Sequence, residues 1–415
     1  MNIKISALLS SPNDIRTPVV VKNILLILLL LAFFGLKLFP IKVTQLDFIL
    51  LPILLFVVGF SYQTKTLYSK LILIYTGFVL LSCLYSYFFN HQALYLVVPH
   101  SYKYFSLLFF FYLVQSRITA KEAERILITI AIICCCCYIL QWLLYPTILF
   151  YGAEEENKAS LDYYRVRIPG SLSCYCLLLY GINKYILNRK IKNILYMILG
   201  GIPIIIMGFR TLTTLAAAFS FLMIPFVARS GRRTIVYSIL AGSLTVAALQ
   251  THLVQSKLEE MGRRQKGLAY AQEDYIRFRE FDYYWNDYFK KPGEKVIGGG
   301  VPVDTTTKYR KYINENKFAW TDLGLLGLSM IIGIPAVLLL IILYLICLWR
   351  FKTPQLQYLR FTLLIVLLGS LLTTSELYRD GNIILFTLFL YIEYDRHRRI
   401  LQANRIKRLL KRLKS

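Results

Sequence analysis

The sequence predicts an all-α integral membrane protein of about 12 transmembrane helices, with one large extracytoplasmic loop between helices 9 and 10. Three observations predict it. Of 415 residues, 57% are hydrophobic and only 17% are charged, with a mean hydropathy of +0.54. That is too little polar surface to coat a soluble globule of this length and too much apolar surface for a disordered chain. Apolar runs close to the roughly 20 residues that cross a hydrocarbon core recur along the whole chain. The formal charge of +25, from 48 Lys+Arg against 23 Asp+Glu, collects in alternate connecting segments, as the positive-inside bias requires.

The spans read, in order, about 19–39, 46–60, 68–89, 94–115, 126–150, 169–187, 193–209, 211–228, 235–252, 321–348, 356–375 and 381–394. The first is too long for the core of a secretory signal and is expected to stay as an uncleaved helix. With a cytoplasmic N-terminus, the inner segments are the N-tail, 61–70, 116–125, 184–193, 229–234, 349–360 and the C-tail. Nearly all of the positive excess falls on them, and with an even number of spans both termini are cytoplasmic. The chain then divides into spans 1–9 with a short outer loop at 151–168 (residues 1–252), a large loop (253–320), three further spans (321–394) and a basic cytoplasmic tail (395–415). The tail carries nine basic residues and a Leu/Ile stripe, the pattern of a basic amphipathic helix lying on an anionic leaflet rather than on nucleic acid.

The large loop holds 13 basic, 10 acidic and 13 aromatic residues, a mixture suited to folding against a membrane surface. Residues 272–289 suit an amphipathic helix, followed by a KPGEK turn and Gly298, Gly299 and Gly300. Several arginines stand where the positive-inside bias disfavours them. Arg165 and Arg167 end the 151–168 loop, Arg210 sits between two apolar runs with no charged neighbour, and Arg379 lies in the last outer turn beside Glu376 and Asp380. Such arginines can snorkel or pair with nearby acids. Converging on one cavity, they would make a pyrophosphate site, because the planar guanidinium binds phosphate oxygens in a bidentate way and keeps its charge.

All eight cysteines fall in predicted spans, so none is available to staple the outer loop. The four histidines show no ligand spacing, and neither a P-loop nor a GxGxxG before a helix occurs. Neither metal nor nucleotide cofactor is therefore expected, and the energy for any chemistry must arrive in the substrate.

Twelve spans with a single large outer loop before the last three resemble the bacterial O-antigen polymerase and O-antigen ligase superfamily. Four short places carry the resemblance. GFRTLTTLAA has Arg210 where the family places an arginine closing one helix and opening the next, with Phe209 in place of a serine. RIPGSLS, with Arg167 and Gly170, looks like the arginine, two residues, glycine segment that follows the earlier outer loop. Arg277, Pro292 and VIGGGV match the loop's arginine, a proline fifteen residues on, and a glycine-rich turn. The fourth place departs from the pattern: eleven residues before Gly333, where ligases carry a histidine, stands Asp322. The departure favours the polymerase branch.

The resemblance implies glycosyl transfer at the periplasmic face of the inner membrane from an undecaprenyl-pyrophosphate-linked oligosaccharide, with a chain-length regulator as a further partner. With the placement of the outer arginines, it assigns pyrophosphate binding to Arg210, Arg167 and Arg277, and their placement alone adds Arg165 and Arg379. Base candidates are Asp322, at the loop-membrane junction, and Glu280, in the loop; each could equally serve as an ion-pair partner or helix cap. Trp285, Tyr284 and Trp320, with Tyr283, could stack on sugars or pack onto the spans. A ligase remains the close alternative. A flippase is the alternative of another class; it would show two similar halves and lack a dominant outer loop.

Overall fold

The computed structural model describes residues 66–145, 147, 149–150, 168, 170–228, 230–232, 235–237, 239, 279–288, 291–301, 323–372, 377 and 381–412. Among these it is helical throughout its regular structure, with no strand. Four helices are long and apolar enough to cross a membrane: Leu67–Asn90, Ala120–Leu143, Thr211–Ala228 and Pro354–Leu371. The predicted spans 19–39 and 46–60, nearly all of 235–252, the 151–168 loop except its last residue, and most of the large loop lie outside the described residues.

In chain order the helices are α1 Leu67–Asn90, α2 Leu94–His100, α3 Tyr102–Phe105, α4 Phe109–Ser116, α5 Ala120–Leu143, α6 Ser171–Asn188, α7 Lys192–Met207, α8 Arg210–Ala228, α9 Pro292–Ile297, α10 Gly324–Ile332, α11 Ile334–Arg350, α12 Gln357–Leu372 and α13 Asn382–Arg412. Two expected spans are broken. The 94–115 run divides into α2, α3, a 3-10 turn at Ser106–Leu108 and α4. The 321–348 run divides at Gly333 into α10 and α11. Conversely, α13 runs on as one helix through the expected boundary at 394.

Capping and packing explain the layout. Thr119 begins α5 with a reciprocal box, its Oγ1 accepting from Glu122 N at 3.2 Å while Glu122 Oε2 accepts from Thr119 N at 2.7 Å. α6 and α7 form a hairpin in which Gly181 and Gly200 let the backbones meet. A Cβ on Gly200 would stand 2.5 Å from Leu178 N, the small-residue contact that brings membrane helices together. α6 also packs against α5, α8, α12 and α13, and every residue from Ile383 to Glu393 at the head of α13 is buried.

The bundle has two chemically distinct ends. At one, buried carboxylates neutralise the exit of α13: Arg350 lies 3.2 Å from Glu393, which also accepts a hydrogen bond from the Tyr68 hydroxyl. One turn along, the fully buried Asp395 accepts from Ala120 N at 2.9 Å, capping α5, and pairs with Arg398 and Arg399 at 3.0 and 2.7 Å. Because those arginines are half exposed, most of this stabilisation rests on the buried cap. Asp395→Ala should therefore cost about 2 kcal/mol, read as a lowered thermal unfolding midpoint in detergent, and an unchanged midpoint would refute the cap. Beyond Asp395 the described residues from Arg399 to Leu410 are all exposed.

Candidate functional site

The other end of the bundle carries the glycine turn, and its geometry starts from one proline. Pro335 has no N–H to donate to the carbonyl of Ile331, four residues earlier, which disfavours a continuous helix there. The chain breaks at Gly333, whose φ of 86° and ψ of 154° belong to a region open essentially to glycine alone. The carbonyls at the end of α10 then need other donors. Gly299 N donates to Met330 O at 2.5 Å and Ser82 Oγ donates to Ile331 O at 2.5 Å. Non-helical backbone at membrane depth is tolerated where protein satisfies it in this way.

The turn seats tightly in this break. A Cβ on Gly333 would lie 1.9 Å from Val296 O, and one on Gly298, itself at φ 85°, would lie 2.3 Å from Ile331 O. On the α1 side, Asn90 Nδ2 donates to Gly299 O at 2.8 Å and Ser86 Oγ reaches Val301 O at 3.5 Å. α9 leads into the turn through the buried Glu294, which accepts from Tyr85 Oη at 3.1 Å and from Lys291 N at 3.3 Å. Next to this seat the Gln92 side chain is 1% exposed, and neither its oxygen nor its nitrogen has a hydrogen-bond partner among the described residues.

Residues 279–282 and a π turn at Tyr283–Tyr288 hold the described part of the loop's aromatic segment. Glu280 and Tyr284 are buried, at 2% and 0% exposure. Trp285 is 41% exposed, with Phe281 stacked on it at 6.4 Å and Lys295 of α9 over its ring at 4.7 Å. Of the expected sugar-stacking rings, Trp285 is partly exposed and Tyr284 is enclosed.

Arg210 opens α8, directly after Gly208 closes α7 in a left-handed cap at φ 65°. Asp322, Arg165, Arg167, Arg277, Arg379 and Trp320 lie outside the described residues. The described residues next in the chain to Arg210, Asp322, Arg379 and Arg167 make the following contacts. Leu212 packs on Gly369 so closely that a Cβ there would be 2.4 Å away. One residue on, Ser370 O lies 2.1 Å from where Gly324 would carry a Cβ, and Ser370 Oγ accepts from Leu377 N at 2.9 Å. Asn382, at the head of α13, accepts from Leu172 N at 3.1 Å and donates to Ser171 Oγ at 3.3 Å. Nearby, Ile168 N donates to the Tyr138 hydroxyl at 3.3 Å and its carbonyl accepts from it. The described chain flanking Arg210, Asp322 and Arg379 thus meets at Gly369 and Ser370, and that following Arg167 meets the head of α13.

Sequence reasoning passed over Ser82, Asn90, Gln92 and the Gly333 to Pro335 break. The Gly-Ile-Pro triplet inside an apolar run was the available signal for the break; Ser82 and Asn90 carry no local signal, because their partners lie more than 200 residues away. A scan against protein-family models finds no match to this chain, and a search of curated proteins finds none.

Proposed function

We propose that this protein is a membrane glycosyltransferase that polymerises undecaprenyl-pyrophosphate-linked oligosaccharide repeat units at the periplasmic face of the inner membrane, with both termini cytoplasmic. The observations that carry the reading are the contacts of Leu212, Gly324 and Leu377 with Gly369 and Ser370 near the end of α12, and of Leu172 with Asn382 at the head of α13. In the sequence Leu212, Gly324 and Leu377 lie two residues from Arg210, Asp322 and Arg379, and Leu172 lies five from Arg167. Arg210 also stands at a helix N-terminus, where the helix dipole adds to its attraction for anions.

In the proposed reaction an acceptor hydroxyl attacks the anomeric carbon of the donor. A new glycosidic bond forms while the bond from that carbon to the pyrophosphate oxygen breaks. The hydroxyl proton passes to Asp322 or Glu280, and undecaprenyl pyrophosphate departs with the bonding electron pair. Guanidinium groups placed before the reaction stabilise the charge growing on phosphate oxygens, so neither a metal nor a nucleotide is required. Trp285, partly exposed, is the ring in the described part of the loop to which we assign sugar contact.

Disrupting the gene and resolving surface polysaccharide by gel tests the proposal. Loss of a polymerase leaves single repeat units on the lipid core. Long chains confined to the carrier lipid would instead indicate a ligase, and absence of both from the outer face would indicate a flippase. Either of the last two patterns overturns the polymerase reading.

A further inference from the structure

The end of the bundle opposite the glycine turn has a groove that the proposed reaction does not use. It is about 390 Å³ in volume and lies between the last turn of α11 and α13, at the point where α13 turns from apolar to basic. Its lining includes Trp349, Arg350, Lys352, Glu393, Arg396 and His397. Three permanent cations thus face one carboxylate, and that carboxylate is already engaged by Arg350 at 3.2 Å. Arg396 donates to Thr353 Oγ1 at 2.5 Å. Its burial lowers its hold on its proton, with Glu393 acting in the opposite direction. A partly desolvated guanidinium with an incomplete counter-charge is suited to an external anion.

The surroundings say which anion. Trp349 is 72% exposed at the end of an apolar helix, with the Lys352 ammonium 3.9 Å over its ring, the aromatic and cationic pairing that marks the level of lipid head groups. Immediately beyond, the tail helix exposes Ile400, Leu401, Ile406, Leu409 and Leu410 beside its basic residues, as a helix lying at an interface does. The volume is of the size that takes a small polar group, within the roughly 300–1,000 Å³ of ligand pockets. Basic recesses between membrane helices on this kind of face take anionic head groups. From this juxtaposition we infer that the groove between α11 and α13 is a binding site for the phosphodiester head group of an anionic glycerophospholipid, with Arg396 and Lys352 as its principal ligands. Arg350 and Glu393 form its floor, and acyl chains would run along the apolar flank of α11. The site follows from membrane residence and stands independently of the proposed activity.

The test uses the purified full chain in a neutral detergent, with phosphatidylglycerol titrated in and the first bound lipid counted by native mass spectrometry. Replacing both Lys352→Gln and Arg396→Gln should weaken first-lipid binding about tenfold or more, since each basic residue near an anionic head group contributes roughly a kcal/mol-scale attraction. The exposed-tail triple variant Arg405→Gln, Lys407→Gln, Arg408→Gln should leave that first affinity nearly unchanged. Lys352→Gln alone, at an exposed side chain, keeps the test open if the double variant fails to fold, and should show a smaller loss. Equal binding by the groove variants and the wild type would overturn the site. So would an equal loss in the tail variant, or equal affinity for phosphatidylcholine. Displacement of the lipid by inorganic phosphate alone would overturn the lipid assignment in favour of a free-phosphate site.

Discussion

Arg210→Ala is expected to lower polymer formation by about 10²- to 10³-fold, the loss seen when a pre-placed donor to a developing oxyanion is removed. Arg210 follows a glycine-capped helix end and begins α8, so its backbone is held by two helices rather than by a loop. No acidic residue is its neighbour in sequence. Because Arg210 is the first residue of the helix, truncating it leaves the apolar face of α8 intact, and the protein should still accumulate in membranes. Surface polysaccharide should then resemble that of the gene disruption while immunoblots of membranes show normal protein. Arg210→Lys should recover part of the activity, since an ammonium keeps the charge and loses the bidentate fork. Normal polymer from Arg210→Ala would end the pyrophosphate-site reading.

Gly333→Ala should be nearly as damaging, by a different route. A non-glycine residue at this φ and ψ carries a backbone penalty of about 1–3 kcal/mol. The new Cβ would also stand 1.9 Å from Val296 O, and forcing apart such a contact adds roughly 1–3 kcal/mol more. The movement must separate α10 from α9 or open the break, exposing the carbonyls of Met330 and Ile331 that the turn and Ser82 satisfy. The expected result is a thermal midpoint lowered well beyond that of Asp395→Ala, together with loss of polymer. Gly201→Ala is the matched control, because a Cβ there meets nothing within 4 Å. If Gly333→Ala melts like wild type, the seat of the glycine turn is not as described.

Helices were the most legible feature in the sequence. The apolar runs at 68–89, 169–187, 193–209 and 211–228 coincide with α1, α6, α7 and α8 to within three residues, because lipid-facing and core-facing positions alike demand apolar side chains and the run length shows directly. Internal breaks were less legible. In the 94–115 run the break between α2 and α3 falls at Pro99, His100 and Ser101, a short polar signal that the apolar residues on either side outweigh over a span-length window. At Gly333 the Gly-Ile-Pro signal was present, but its consequence depended on whether donors existed to meet the freed carbonyls. Those donors, Ser82 and Gly299, come from segments more than 200 and 30 residues earlier in the chain. Among the candidate residues, sequence alone selected Arg210 by its isolation and Trp285 by its aromatic neighbourhood. It did not distinguish the enclosed Tyr284 from the partly exposed Trp285, because adjacent residues in a turn differ only in which neighbours cover them.

By itself the sequence determined the helical, apolar character of the chain. The apolar majority and the run lengths favour helices suited to lipid, where backbone polar groups must be satisfied by the protein itself. Only the tertiary structure decided which polar groups are shared between segments. It seats the glycine turn in a broken helix, gives Asp395 to the start of α5, and brings Leu212, Gly324 and Leu377 to Gly369 and Ser370. Such pairings depend on carbonyls, amides and carboxylates meeting across the bundle, and no local pattern of side chains records where those partners will be.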